Sequence, residues 1–310
     1  MDKSIEILIP LLNEYECIKE LVSRLEKVVN ELKKRKYEIS LIFIDDGSEQ
    51  DFKDILHSYQ KKCNYISIIS LSRNFGHQAA IRAGIDHSKS DVVIMLDGDL
   101  QDPPELIPEM IKEWENGFDI VTAVKEKRKD NYLRTGIFSK IFYYIFSKSV
   151  SFSSTRDSGD FRLISKWVAN EIRGVKEHNL YLRGYIDWLG GNKKTVSYIR
   201  DERFGGKAKY SYNQSYKLAM NALVSLSDFF PILLIRILIL SFFVVGGIFV
   251  WVTYNVIVNY EILVKGWSSL IITLMMSVII QIFGFTFITF YLKKILEQTS
   301  GKKNYQVISD

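Results

Sequence analysis

Short apolar runs separated by amphipathic stretches occupy the first half of the chain, and two long uncharged blocks occupy its end. Ile5 to Ile9, Ile39 to Ile44, Tyr65 to Ile69, Val92 to Leu96 and Ile120 to Val124 read as strands. After the first run, Ile18, Leu21, Val22, Leu25, Val28, Val29 and Leu32 share one face of a helix. A helix start after the fourth run is marked by Asp102 as N-cap, Pro103 and Pro104 in the first turn, and Glu105 three residues on. Strand–helix alternation predicts an α/β fold with a mostly parallel sheet covered by helices. In such sheets ligands bind beyond the carboxyl ends of the strands.

The terminal blocks run from Ile237 to Val258 and from Trp267 to Leu292 without a charge. Each exceeds the roughly 20 residues needed to cross an apolar layer of ~30 Å. Core helices of that length keep a polar stripe; here only Asn255, Gln281 and scattered Ser and Thr interrupt. The expectation is a two-helix transmembrane region over 231–295, turning near Glu261 and Lys265. Arg236 precedes the first block, and Lys293, Lys294, Lys302 and Lys303 follow the second. The positive-inside rule then places a catalytic domain (1–230), a tail (296–310) and both termini in the cytoplasm, at the plasma membrane. Met1 to Pro10 is too short and too charged for a signal peptide.

The segments 136–150 and 215–230 are apolar but short, which predicts interfacial helices. Packing on the sheet is the alternative. Lys125, Lys127, Arg128, Lys129 and Arg134 precede the first of them and suit phosphate headgroups.

With 310 residues, 25% charged and 47% hydrophobic, the chain is not a disordered one. Two cysteines, Cys17 and Cys63, exclude a disulfide framework. A net charge of +5 favours an anionic partner. No nucleic-acid motif accompanies it, so the charge is assigned to membrane and phosphate.

The chemistry lies in three acidic clusters. Asn13 and Glu14 follow the first strand, Asp45 and Asp46 the second, Asp97 and Asp99 the fourth. Carboxylates gathered on one edge repel one another and call for a cation or a set of donors. Oxygen ligands suit Mg²⁺ or Mn²⁺.

Ile9 to Glu14, Asp45-Asp46-Gly47-Ser48, Ser72 to Gly76, Asp97 to Pro104, Gly159 to Leu163 and Arg203 to Lys207 stand in the order and spacing of glycosyltransferase family 2. Within it the chain most resembles the polyprenyl-phosphate glycosyltransferases, which include bactoprenol glucosyltransferases and dolichyl-phosphate mannose synthases. The resemblance implies a GT-A (Rossmann-like) domain followed by the interfacial and membrane helices. It places Asp97, Asp99 and Gln101 at the metal, and Pro10, Asn13, Glu14, Asp45 and Asp46 around the nucleotide. Asp160 and Arg162 match the acceptor-side motif; Arg203, with Lys209, closes over the diphosphate. Lys125 stands where many relatives carry an Arg contacting lipid phosphate, with Arg128 and Arg134 as alternatives, and His77 where many carry Lys.

The implied activity is inverting transfer of a hexose, glucose from UDP-glucose, to undecaprenyl phosphate. UDP-GlcNAc or GDP-mannose as donor, and a non-catalytic membrane anchor that binds nucleotide-sugar, are the alternatives. A phosphate acceptor is already anionic, since its second pKa is about 6. Asp160 is therefore expected to orient the acceptor or its basic partners, with general-base action secondary. Association of chains through the spans is left open.

Overall fold

The computed structural model describes residues 3–125, 158–175, 180–199, parts of 236–258, 267–299 and 304–308. It divides into two compact units, Met1–Leu226 with Lys303–Asp310, and Ser227–Lys302.

The first unit is built on a seven-stranded sheet in the order β3-β2-β1-β4-β6-β5-β7. The strands are β1 (Ser4–Leu11), β2 (Glu38–Asp45), β3 (Ile66–Ser70), β4 (Val92–Met95), β5 (Ile120–Lys125), β6 (Ser158–Ser165) and β7 (Lys193–Tyr198). β1 pairs in parallel with β2 from Ser4 opposite Glu38 to Leu11 opposite Asp45, and also with β4. Only β6 runs against its neighbours β4 and β5. The sheet is mostly parallel, as expected.

Among the described residues, six helices cover this sheet: α1 (Ile18–Lys34), α2 (Gln50–Lys62), α3 (His77–His87), α4 (Ile107–Glu115), α5 (Lys166–Gly174) and α6 (Leu182–Leu189). Because side chains alternate along a strand, Ile5, Ile7, Ile9 and Leu11 of β1 join α1, α2 and α4 in one buried cluster. Leu8 points to the other face, with Ala80, Ile81 and Ile85 of α3, Val168 and Ile172 of α5, and Ile186 of α6. The apolar stripe read on α1 is buried residue for residue.

The five expected strands are present; β6 and β7 were not read. β6 carries Asp160 and Arg162, which break its apolar run. β7 is an outer strand whose exposed Lys194 and Thr195 make it look like a loop. Asp102 is no N-cap. The chain enters a 3-10 turn, Pro104–Leu106, with Pro103 at the cap, while buried Asp102 accepts the Tyr198 hydroxyl of β7.

In the second unit, α7 (Trp267–Thr299) is 33 residues long; it coincides with the second expected span. Much of the first lies outside the described residues, as do 136–150 and 215–230. Among the described residues, no helix is long and apolar enough to cross a membrane. Large apolar side chains nonetheless face outward, Phe243 at 70% and Phe285 at 68% exposure among them. Residues 304–308 do not trail away as a tail: Leu71, just beyond β3, bridges Val307 in antiparallel fashion.

Gly47 shows how tightly the loop after β2 is packed. It sits at φ +77°, and a Cβ there would lie 2.4 Å from the carbonyl carbon of Arg73 and 2.5 Å from the backbone nitrogen of Asn74. Gly47→Ala is expected to cost about 2–4 kcal/mol through strain and overlap. A thermal unfolding scan should show the loss; an unchanged melting temperature would contradict this packing.

Candidate active site

Parallel strands deliver their carboxyl-terminal residues to one edge of the sheet. Asp45 ends β2, and Asp97 and Asp99 follow β4. Asp45 is buried; its Oδ1 accepts the Ser48 N–H at 2.9 Å. Its Oδ2 has no hydrogen-bond partner among the described residues, and Lys53 Nζ lies 3.9 Å away. Asp46 accepts the N–H groups of Phe75 at 2.8 Å and Gly76 at 2.9 Å. Burial raises the Asp46 carboxyl above the usual carboxylate range, against those two donors.

Asn13 adopts φ 51°. It cross-links two loops: its N–H donates to Ser48 Oγ at 3.1 Å, and its Oδ1 accepts the Glu49 N–H at 2.9 Å. The half-buried Glu14 uses its carbonyl to start α1, accepting the Cys17 and Ile18 N–H groups. Pro10 is buried inside β1 opposite Ile44. Asn13 and Pro10 therefore shape this end of the edge from within the scaffold.

Asp160, expected on the acceptor side, meets the β4 loop through His77, which the sequence marks only as a departure from the family. His77, the first residue of α3, places Nε2 2.9 Å from Asp160 Oδ2 and 3.2 Å from Asp97 Oδ1. One ligand atom each from His77, Asp97 and Asp160 lie within 4.8 Å of one another. Burial pushes the imidazole down, but Asp97 and Asp160 hold it well above the ordinary histidine value. The imidazolium thus carries positive charge between two carboxylates.

Asp160 is only 4% exposed. The Arg183 guanidinium of α6 grips both of its oxygens, and Gln78 Nε2 lies 3.3 Å from each. Burial alone would raise this carboxyl; Arg183 first, then His77, hold it well below the usual range. An ionised carboxylate with its lone pairs so occupied is a poor proton acceptor and a strong positioning group.

Arg162, expected on the acceptor side, is buried beneath α6. It is 1% exposed, and its Nη1 donates to Asp187 Oδ1 at 3.1 Å and to the Arg183 carbonyl at 3.2 Å. It fixes α6, and through α6 the guanidinium that meets Asp160. Neither Arg183 nor Asp187 was singled out from the sequence, since pairing across 23 and 25 residues leaves no local spacing to read.

The expected metal set fits in part. Asp97 Oδ1 is buried and accepts no well-formed hydrogen bond among the described residues beyond its 3.2 Å ion pair with His77, so it is available to a stronger cation. Asp99 Oδ1 accepts the Gln101 N–H at 3.1 Å, which folds that pair into one turn. Carboxylate oxygens suit Mg²⁺ or Mn²⁺, and the protonated His77 could join them as a ligand only by giving up its proton. Lys125, half-buried at the end of β5, places Nζ 3.7 Å from where a Cβ of Gly159 would stand, next to Asp160 in sequence. Arg128, Arg134, Arg203 and Lys209 lie outside the described residues.

The family model for glycosyl transferase family 2 matches residues 6–173. An uncharacterized glycosyltransferase of Bacillus subtilis, YkcC, is 34% identical over 97% of this chain and 92% of its own. A bactoprenol glucosyl transferase of Shigella phage SfX is 30% identical over 98% of this chain and 99% of its own. Among solved structures, glucosyl-3-phosphoglycerate synthase from Mycobacterium tuberculosis, in complex with Mn²⁺, UDP and phosphoglyceric acid, superposes with a TM-score of 0.50. That match is 13% identical and covers 71% of this chain and 76% of the other, a likeness of fold.

Arg183→Gln leaves Asp160 buried with weaker compensation and should cost about 2–3 kcal/mol, below the fully buried range because Arg183 is 31% exposed. Arg183→Lys, a point charge in place of a fork, should recover only part of this. Denaturant unfolding measures both, and a neutral Arg183→Gln would show the pair to be dispensable. The pH dependence has a definite sign. A folded-state pKa above 6.5 means that the stability added by His77 is complete below that value and lost as pH rises through the folded one. In metal-free buffer, the melting-temperature deficit of His77→Gln should be larger near about pH 6 than near about pH 10. An equal deficit at both would mean a neutral imidazole.

Proposed function

The chain belongs to glycosyl transferase family 2, and from that premise we propose that it moves a hexose from a nucleoside diphosphate donor onto a polyprenyl phosphate at a membrane surface. The observation that carries this reading is a pair of buried carboxylate oxygens that accept no well-formed hydrogen bond among the described residues: Asp45 Oδ2, with Lys53 Nζ 3.9 Å away, and Asp97 Oδ1, with His77 Nε2 3.2 Å away. They lie at the carboxyl edge of a sheet whose acceptor-side carboxylate is already neutralised by Arg183 and His77. Buried acceptors held only by loose ion pairs are costly, and a donor's hydroxyl or base N–H groups at Asp45, with a cation at Asp97, would satisfy both.

In this reading Asp45, Asp46, Asn13 and Glu14 frame the nucleotide. Asp97, Asp99 and Gln101 hold a divalent ion, with His77 at its flank. Such an ion supplies Lewis-acid neutralisation of a departing diphosphate. Asp160 does not need to take a proton, because a phosphate monoester acceptor is already an anion. It holds Arg183 in place instead, so that a guanidinium edge and Lys125 meet the acceptor's charge, together with Arg128, Arg134, Arg203 and Lys209. A single displacement at the anomeric carbon inverts its configuration. UDP-glucose is the donor and undecaprenyl phosphate the acceptor by analogy with relatives named bactoprenol glucosyl transferase.

Membrane attachment is supported by the second unit. Outward-facing Phe243, Trp251, Phe283 and Phe285 have no place in open water. The hydroxyls of Thr286 and Thr289 are satisfied within α7, each donating to a carbonyl four residues back at 2.8 Å, as an apolar surrounding demands. The chain leaves the first unit after Leu226 and rejoins it at Lys303. Such an excursion crosses a bilayer an even number of times, and two crossings by the uncharged blocks fit it. The basic flanks then put the catalytic unit on the cytoplasmic side.

Purified full-length protein, offered undecaprenyl phosphate with UDP-glucose, UDP-GlcNAc or GDP-mannose, should form a β-linked lipid product with UDP-glucose. The product should vanish with EDTA and return with Mn²⁺ or Mg²⁺. Asp99→Ala should lower turnover about a hundred-fold while the protein stays folded. Transfer to soluble sugars alone would overturn the lipid assignment, and undiminished turnover in EDTA would overturn the metal role.

A further inference from the structure

The last residues of the chain lie against the segment that shapes the donor end of the site. Ser72 donates its N–H to the Gln306 carbonyl at 2.9 Å, and Ile308 donates its N–H to the Ser70 carbonyl at 2.8 Å. Between these bonds Leu71 bridges Val307. β3 is the outer strand of the sheet, so this pairing covers an open edge. Tyr305 reaches further. Its hydroxyl donates to Asp86 Oδ2 at 2.9 Å, and its ring lies 6.1 Å from that of His87. Asp86 also accepts Arg82 Nε at 2.8 Å, and Arg82 in turn donates to the Val175 carbonyl at 2.9 Å.

The C-terminal segment therefore grips the stretch from Ser70 to His87 at both ends. Within that stretch lie the Phe75 and Gly76 N–H groups that hold Asp46, and the His77 and Gln78 side chains that hold Asp160. Covering a strand edge accounts for the backbone bonds alone; the Tyr305 hydroxyl bonds a helix beyond the edge. A loop fixed before its ligand arrives has less conformational freedom left to lose on binding. We infer that residues 304–308 are a positioning element of the donor site, holding Ser70–His87 in place so that a nucleoside diphosphate binds without having to order it.

This rests on the reading of that edge as a nucleotide site, and the test separates the two. Full-length protein is compared with Tyr305→Phe, with Ile308→Pro, which removes the N–H to Ser70, and with a chain ending at Lys303. UDP and GDP, each with Mn²⁺, are titrated calorimetrically, amide exchange is followed at residues 70–76, and KM for undecaprenyl phosphate is measured. Each point variant should weaken nucleotide binding about three- to ten-fold, the effect of one lost hydrogen bond. Exchange at 70–76 should quicken, and the acceptor KM should rise through His77 and Gln78 by clearly less than nucleotide affinity falls. If the shortened chain does not fold, the two point variants decide. Unchanged nucleotide affinity with unchanged exchange overturns the inference, and so does equal weakening of nucleotide and acceptor, which a merely structural role would give. Should the unaltered protein bind neither nucleotide, the functional reading fails, while the exchange data still show whether the C-terminal segment orders the loop.

Discussion

One buried carboxylate organises the site. Asp160 is on β6, near the middle of the sheet, where a lone negative charge would be expelled or protonated. It stays ionised because Arg183 from α6 and His77 from α3 converge on it. Those helices pack on the same face of the sheet, so the charge balance depends on that layer being assembled. Arg162 supports it from beneath by bonding the Arg183 carbonyl and Asp187. Two arginines thus act in series, one buried to fix a helix and one half-buried to meet the carboxylate.

The same economy governs the loops after β1 and β2. Asp46 is spent on the Phe75 and Gly76 N–H groups, and Asn13 on the loop after β2. These residues make the walls. What is left facing inward is Asp45 Oδ2 and Asp97 Oδ1, which accept no well-formed hydrogen bond among the described residues and meet only the nearby cations Lys53 and His77. The site is therefore a rigid frame around a small number of loosely paired oxygens, which is how a binding site is preorganised for cations and polar groups.

Charge also separates the two halves of the chain. The first unit keeps its ionised groups in paired networks, whereas the uncharged blocks of the second present aromatic and aliphatic side chains outward. A sugar donor that is water-soluble and an acceptor anchored by an apolar tail call for such a division. The return of the chain to the first unit at Lys303 brings residues 304–308 against the segment beyond β3.

The order of strands and helices in the first unit was legible in the sequence, because burial imposes period-two and period-3.6 patterns on Ile5–Ile9 and on Ile18–Leu32. So was the gathering of Asp45, Asp46, Asp97 and Asp99 on one edge, since parallel strands all end on the same side. The charged strand β6 and the polar outer strand β7 were hidden because their residues answer to partners across the sheet, with no local period to show it. The pairing of Asp160 with Arg183 and His77, the inward turn of Arg162 and the docking of Tyr305 on Asp86 were settled by tertiary structure alone. They join residues between 23 and 219 positions apart, and a bond between distant side chains exists only once the layers that carry them have packed.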